Sequence, residues 1–258
     1  MIRTLLLVTG FGTAIALVCL TAAASLAGAD ASKGFSWTLV ENDGNVSLKK
    51  NVEVKPEPSM TKTLAWTGGD ALVITAPVDV VYTQGAAASV TVTGPRSLTE
   101  RIRLEDGRLY LTEGPGVKKV VSLKLGSDGI DVSEGGHDFR VTITAPSVKR
   151  FELTGSGDLT VQGYDQPSLD LKISGAGHAE ATGRTDALAL DISGMGDADL
   201  NALAVRDATV SISGHGDADI AATGKVAVDV SGMGDVTLKT RPQSLTTNIS
   251  GAGSVEQE

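Results

Sequence analysis

Along the C-terminal hundred residues, apolar positions alternate with polar ones, and a short glycine phrase interrupts the alternation at regular intervals. Leu188, Leu190 and Ile192 alternate with Ala189, Asp191 and Ser193; beyond the glycines, Ala198 and Leu200 alternate with Asp197 and Asp199. The same pattern holds for Leu169, Leu171, Ile173 then Ala179, Ala181; for Val210, Ile212 then Ala218, Ile220; and for Val226, Val228, Val230 then Val236, Leu238. A period of two predicts strands with one buried and one wet face. The phrase between them reads TGSGDLTV, SGAGHAEA, SGMGDADL, SGHGDADI, SGMGDVTL and SGAGSVEQ, and its first glycines lie 20, 19, 20, 18 and 19 residues apart. A near-constant period of this length is the mark of a solenoid.

Six G-x-G pairs form the expected corners: Gly155 and Gly157, Gly175 and Gly177, Gly194 and Gly196, Gly214 and Gly216, Gly232 and Gly234, Gly251 and Gly253. Glycine reaches positive φ without steric cost, so the pairs are read as tight turns. The residue between them is Ser156, Ala176, Met195, His215, Met233 or Ala252, a mixture that places it in solvent. A Ser or Thr always precedes the pair, where its hydroxyl can bond the turn backbone. A coil of about 19 residues buries too few aliphatic side chains to offset the entropy of ordering its backbone, so each coil needs its neighbours. The fold class expected is all-β, a single parallel β-helix with coils about 4.8 Å apart.

Upstream the pattern is less regular. Residues 1–29 read as a signal peptide: Arg3, then an uncharged and mostly apolar run, then Ala27-Gly28-Ala29 before Asp30. The run is also long enough to span a bilayer if retained as an anchor. Cys19, the sole cysteine, lies inside it, so a chain cleaved there holds no thiol. Residues 30–65 read as a lead-in or linker, with short strands at Phe35–Val40 and Val46–Leu48 and interruptions at Pro56 and Pro58. Residues 66–258 are expected to be the β-helix domain: 66–150 irregular coils and a cap, 151–258 the regular repeats. In 66–150, Ile102, Leu104, Leu109 and Leu111 flank Asp106-Gly107 as a hairpin, and Ile74-Thr75-Ala76-Pro77 is echoed by Ile143-Thr144-Ala145-Pro146.

Short strands separated by recurring S-G-x-G-[DS], after a lead-in of the form V-I-T-A-P-V-D-V-V-Y-x-Q-G, resemble the GIN-domain family of bacterial envelope proteins, described as autotransporter-adhesin head domains. The resemblance covers roughly Trp66 to Glu258. It implies a right-handed single-stranded β-helix, shaped like pectin lyases but without their catalytic residues, and a role in cell adhesion. No membrane-inserting barrel follows the repeats in this sequence, so self-export is not expected.

Charge and chemistry narrow the functions. Residues 30–150 hold 15 basic and 15 acidic side chains; residues 151–258 hold 6 and 16. An acidic repeat region argues against nucleic acid or anionic lipid as partner. The histidines, His137, His178 and His215, have neither a carboxylate at helical spacing nor a cysteine partner, so no triad, zinc site or other catalytic residue is expected. The repeats hold only Phe151 and Tyr164 as aromatics, which removes the stacking platform of a polysaccharide lyase. No cofactor is implied beyond one alternative. Asp158, Asp197, Asp217 and Asp235 follow the second glycine of four copies, and Asp199 and Asp219 lie two residues on. Stacking brings Asp197, Asp199, Asp217, Asp219 and Asp235 together as hard oxygen ligands for Ca2+, in a structural cation-binding module. The principal expectation is an exported, non-enzymatic envelope protein, periplasmic, surface-held or secreted, that meets an unidentified surface ligand. After signal cleavage it has no transmembrane segment. The oligomeric state stays open.

Overall fold

The computed structural model describes residues 35–42, 45–50, 57–114, 119–126, 129–134 and 139–258, and divides into two compact units. The smaller takes its residues from 1–56 and 115–136. It is a four-stranded antiparallel sheet of β1 (Phe35–Asn42), β2 (Asn45–Lys50), β9 (Lys119–Gly126) and β10 (Gly129–Glu134), in the order β10-β9-β1-β2. Leu39 pairs with Leu48 on one side and Val121 on the other. The stretch read as a linker therefore holds strands of a sheet, and part of the stretch read as cap coils belongs with them. β1 pairs locally with β2, and β9 with β10, but the β1–β9 pairing that joins the two hairpins links residues some 80 apart and leaves no local signal, which is why alternation alone did not find the sheet.

The larger unit, from 57–114 and 137–258, carries the repeats. Its coils are formed by β4 (Ala71–Ile74), β5 (Asp79–Gln84), β12 (Arg150–Leu153), β13 (Leu159–Ile173), β14 (Ala179–Ile192), β15 (Ala198–Ile212), β16 (Ala218–Ala222), β17 (Lys225–Val230), β18 (Val236–Leu238), β19 (Ser244–Ile249) and β20 (Val255–Gln257). Every pairing among these is parallel and joins one coil to the next. Ile74, Leu153, Ile173, Ile192, Ile212 and Val230 stack in register and are fully buried. A second column, Leu159, Ala179, Ala198, Ala218 and Val236, lines the next face. Near the start of the stack, aromatics fill the interior: Phe151 meets Tyr82 edge to face at 5.1 Å and Tyr164 at 6.4 Å. The Tyr82 hydroxyl donates to the Ala145 carbonyl at 2.8 Å, and that of Tyr164 to Ser168. The solenoid expected from the period is present, and it starts earlier than the glycines do. Thr75-Ala76-Pro77-Val78-Asp79 occupies the place of Thr154-Gly155-Ser156-Gly157-Asp158 one coil on, because Ile74 pairs with Leu153 and Val80 with Leu159. The echo at 143–146 is different: Ile143 pairs with Tyr82, inside a strand.

Antiparallel strands cover the first coil. β3 (Ser59–Leu64) pairs with β6 (Ser89–Pro95), β6 with β11 (Arg140–Ala145), and β11 runs parallel to β5. β7 (Ile102–Glu105) and β8 (Arg108–Leu111) form the expected hairpin, turning through Asp106 and Gly107 at φ of 47° and 76°, and β8 adds to β4. Helix α1 (Arg96–Thr99) is a single turn. Among the described residues no helix is long and apolar enough to cross a membrane.

One expectation is corrected at the corners. Among the described glycines, positive φ occurs at Gly107, Gly163 and Gly183, and at none of the G-x-G pairs. Those pairs are glycine for lack of space. A Cβ on Gly214 would overlap the Gly194 carbonyl oxygen, and one on Gly216 would overlap the Gly196 carbonyl and press on Ile192. The same holds at Gly194 and Gly232. The carbonyl in the way accepts a hydrogen bond: His215 N–H reaches Gly194 at 2.9 Å, and Met233 N–H reaches Gly214 at 3.0 Å. The hydroxyl before each pair is expected to bond the turn backbone; that of Thr154 instead donates to the Ile74 carbonyl of the preceding coil at 3.1 Å. The serines at 174, 193, 213, 231 and 250 are exposed and join the stack through their backbone N–H.

Two predictions follow from this packing. Gly214→Ala is expected to lower stability in urea by about 1–3 kcal/mol, whereas Met195→Ala, one coil away and exposed, is expected to change it by less than about 0.5 kcal/mol. Equal unfolding midpoints would contradict the close approach. Burial, with Tyr82 nearby, pushes the Tyr164 phenol above its ordinary value, and burial pushes Tyr82 up too. The folded state thus favours the protonated phenols. Their contribution is complete below pH 10.0, the ordinary tyrosine value, and is lost as pH rises through the raised values. Melting temperature is expected to fall above that pH, and less steeply in Tyr164→Phe; identical slopes would contradict it.

Candidate functional site

The position after the second corner glycine forms a column: Asp79, Asp158, His178, Asp197, Asp217, Asp235 and Ser254. Where the column holds aspartate, its Oδ1 accepts the N–H of the residue one coil on. Asp158 N–H donates to Asp79 at 3.2 Å, His178 to Asp158 at 3.0 Å, Asp217 to Asp197 at 2.9 Å, Asp235 to Asp217 at 2.8 Å and Ser254 to Asp235 at 2.7 Å. The return bond runs through the backbone: Ala198 N–H donates to the Asp217 carbonyl and Ala218 N–H to that of Asp235, each at 2.9 Å. Each of these carboxylates therefore faces an N–H dipole as well as its like-charged neighbours. An open groove of about 470 Å3 runs beside the column, lined by Asp197, Asp199, Asp217, Asp219 and Asp235 among others. Asp199 Oδ1 accepts the Asn201 N–H at 3.1 Å. Asp219 lies 3.7 Å from Lys239 Nζ, which also donates to Glu258 at 2.9 Å. The bond to Glu258, with the charge of Asp219, holds this ammonium above the ordinary lysine value. The five Ca2+ candidates thus share one groove, but among the described residues no three carboxylate or imidazole groups are grouped to hold a metal ion.

His178 and His215 stand in different columns, His178 in the aspartate column and His215 in the column between the glycines; His137 lies outside the described residues.

A second ledge runs along another corner of the stack. Arg184 binds Asp165 in the preceding coil with both branches, Nε to Oδ1 at 2.9 Å and Nη2 to Oδ2 at 2.8 Å. That bond is the main cause that holds the Asp165 carboxyl below its usual range. Arg206 Nε donates to Asp207 at 3.1 Å, and its Nη1 lies 3.6 Å from Asp186. Asp207 also accepts the Lys225 N–H at 2.8 Å, and this bond first, then Arg206, lowers its carboxyl. These pairs are exposed and contribute little to stability. Asp165, Arg184, Asp186 and Arg206 line an open groove of about 770 Å3 with Asn201 and Thr240.

The sequence profile described as "Putative auto-transporter adhesin, head GIN domain" matches residues 70–242, from the first residue before β4 into the last coils. The chain belongs to the GIN-domain family. Its backbone is similar to a crystal structure titled a putative adhesin from Bacteroides fragilis NCTC 9343, with TM-score 0.58 and 17% identity over 80% of this chain and 100% of that one. Putative adhesins from Parabacteroides merdae ATCC 43184 and Parabacteroides distasonis ATCC 8503 align with TM-scores of 0.45 and 0.42, at 17% and 19% identity, over 78% of this chain and 96% and 98% of theirs. No curated protein matches the chain.

Within this GIN-domain solenoid the aspartate column was legible as a repeat, and its role was not. The arginine ledge escaped the sequence reading, although a signal existed: Asp165, Asp186 and Asp207 recur every 21 residues, a step longer than the glycine period. If the column aspartates act through backbone bonds, Asp217→Ala is expected to lower the melting temperature by about 2–4 °C. Asp217→Asn keeps an oxygen acceptor and is expected to stay close to wild type. Equal losses in the two variants would assign the column's effect to charge instead.

Proposed function

We propose that this GIN-domain protein is an exported, non-enzymatic component of the cell envelope whose solenoid presents a polar surface for adhesion or scaffolding. The adhesin description of the family, and the apolar segment ending at Ala29, support an extracytoplasmic location. The observation that carries the reading is the ledge around Arg184 and Arg206. Its guanidinium and carboxylate groups, with the amide of Asn201 and the hydroxyl of Thr240, lie along one side of successive coils of a hydrogen-bonded stack, so donors and acceptors are set out in a row. A row of that kind suits a polar polymer that repeats the same hydroxyl and amide groups, with affinity gathered over several weak contacts. No observation favours the cation module over this, since one oxygen each of Asp197, Asp217 and Asp235 accepts a backbone N–H.

The experiment is a binding screen of the full chain against glycans and purified envelope polymers, repeated with Asn201→Ala/Arg206→Ala. At least one polymer is expected to be retained, with its size unchanged after incubation, and the double variant is expected to bind at least tenfold more weakly. Retention of no polymer, shortening of the polymer, or undiminished binding by the variant would each overturn the proposal.

A further inference from the structure

The column at the tip of the corners contains a pattern that neither packing nor the ledge accounts for. Ala176, Met195, His215, Met233 and Ala252 stand in register, each donating its N–H to the first glycine of the coil before, at 3.2, 2.9, 2.9, 3.0 and 2.9 Å. All are exposed. Small residues suffice at both ends of the column, yet its three central places hold two thioethers on either side of one imidazole. Met195 and Met233 are 57% and 58% exposed, the highest values for large apolar side chains among the described residues. Burial therefore gives no reason for methionine there. No side chain among the described residues hydrogen-bonds or ion-pairs with His215.

We propose that Met195, His215 and Met233 bind a soft monovalent cation, Cu(I). Thioether and imidazole are neutral, polarisable donors that select Cu(I) over hard ions such as Ca2+ and Mg2+, which require oxygen. The spacing agrees. Neighbouring coils lie about 4.8 Å apart, and bonds of the lengths zinc makes to nitrogen and sulfur, about 2.0 and 2.3 Å, would place such donors about 4.3 Å apart across a metal. His215 has one such step on each side, and the three rotatable bonds of methionine let either sulfur close on the imidazole. The acidic repeat region, with 6 basic and 16 acidic side chains, adds an attractive field for a cation. The corner backbone is fixed by its ladder of N–H bonds, so binding reorganises side chains alone.

The test uses the full chain with methyl-labelled methionine and Cys19→Ser in every sample, so that no thiol competes. Ag(I) alone is titrated with NMR detection of the methyl groups; Cu(I) affinity is then measured anaerobically against a chromogenic chelator. The Met195 and Met233 methyl signals are expected to shift together and saturate near one equivalent, while the half-buried Met60 stays in place. His215→Ala and Met195→Leu/Met233→Leu are each expected to lose at least tenfold in affinity. Alanine occupies this column in two other coils, so these variants should fold, and circular dichroism checks that they do. A response confined to Met1 or Met60, or undiminished affinity in either variant, would overturn the proposal.

Discussion

The close approach of consecutive coils at their corners is the constraint on which the rest of the molecule depends. There, each first-glycine carbonyl accepts the N–H of the residue between the glycines one coil on, and stands where a Cβ on the next coil's first glycine would be. A side chain at that place would push the coils apart, and the loss would not stay local. The strands leaving the corner pair with the same neighbours, so a displaced corner shifts the registry of Ile173, Ile192 and Ile212 and opens the core they fill. Glycine pairs, buried aliphatics and the aspartate column are thus three expressions of one requirement: that every coil repeat the path of the one before it.

The first coil departs from the rule and shows its physical origin. It carries Ala76 and Val78 where later coils have glycine. Ala76 donates its N–H to Leu109, in the hairpin that covers the stack, and so has no corner carbonyl of an earlier coil against it. The side of the stack facing the cap is closed by short antiparallel strands, with Lys62 on β3 and Arg103 and Glu105 on β7, which discourage further pairing at those edges. The last coil differs: β19 is exposed throughout, with Leu245 and Ile249 continuing the buried columns into an open face.

The sequence exposed the parts of this architecture that obey short periods. Alternation identified strands such as β17, the spacing of the glycines identified the coils, and Asp106-Gly107 identified the hairpin. Contacts between distant segments stayed hidden. Nothing near Leu39 or Val121 points to their pairing, and Thr75-Ala76-Pro77-Val78-Asp79 does not look like a corner until its place in the stack is known. The reason for the glycines was also out of reach, since a positive φ and a crowded Cβ demand the same residue. The aspartates read as a charged array because side-chain spacing is visible in a repeat, whereas the N–H that each one meets belongs to the following coil's backbone.

A stack of this kind separates the residues that fold it from those free to act. Inward positions and corner glycines are fixed by volume, and the aspartate column by the N–H groups it serves. The outward columns answer to neither, so their chemistry can change without disturbing the coils. That freedom makes a column, rather than a single residue, the unit in which a surface property is built: side chains 19 residues apart in sequence stand one strand spacing apart in space. Arg184 and Asp165 show the principle with charge, closing a bidentate pair across coils. Met195, His215 and Met233 meet the same geometric condition with soft donors. A single methionine on a solvent-facing corner would carry no chemical meaning, but two that flank in register an imidazole without a side-chain partner among the described residues form an ordered set of ligands, held by a backbone that does not need them.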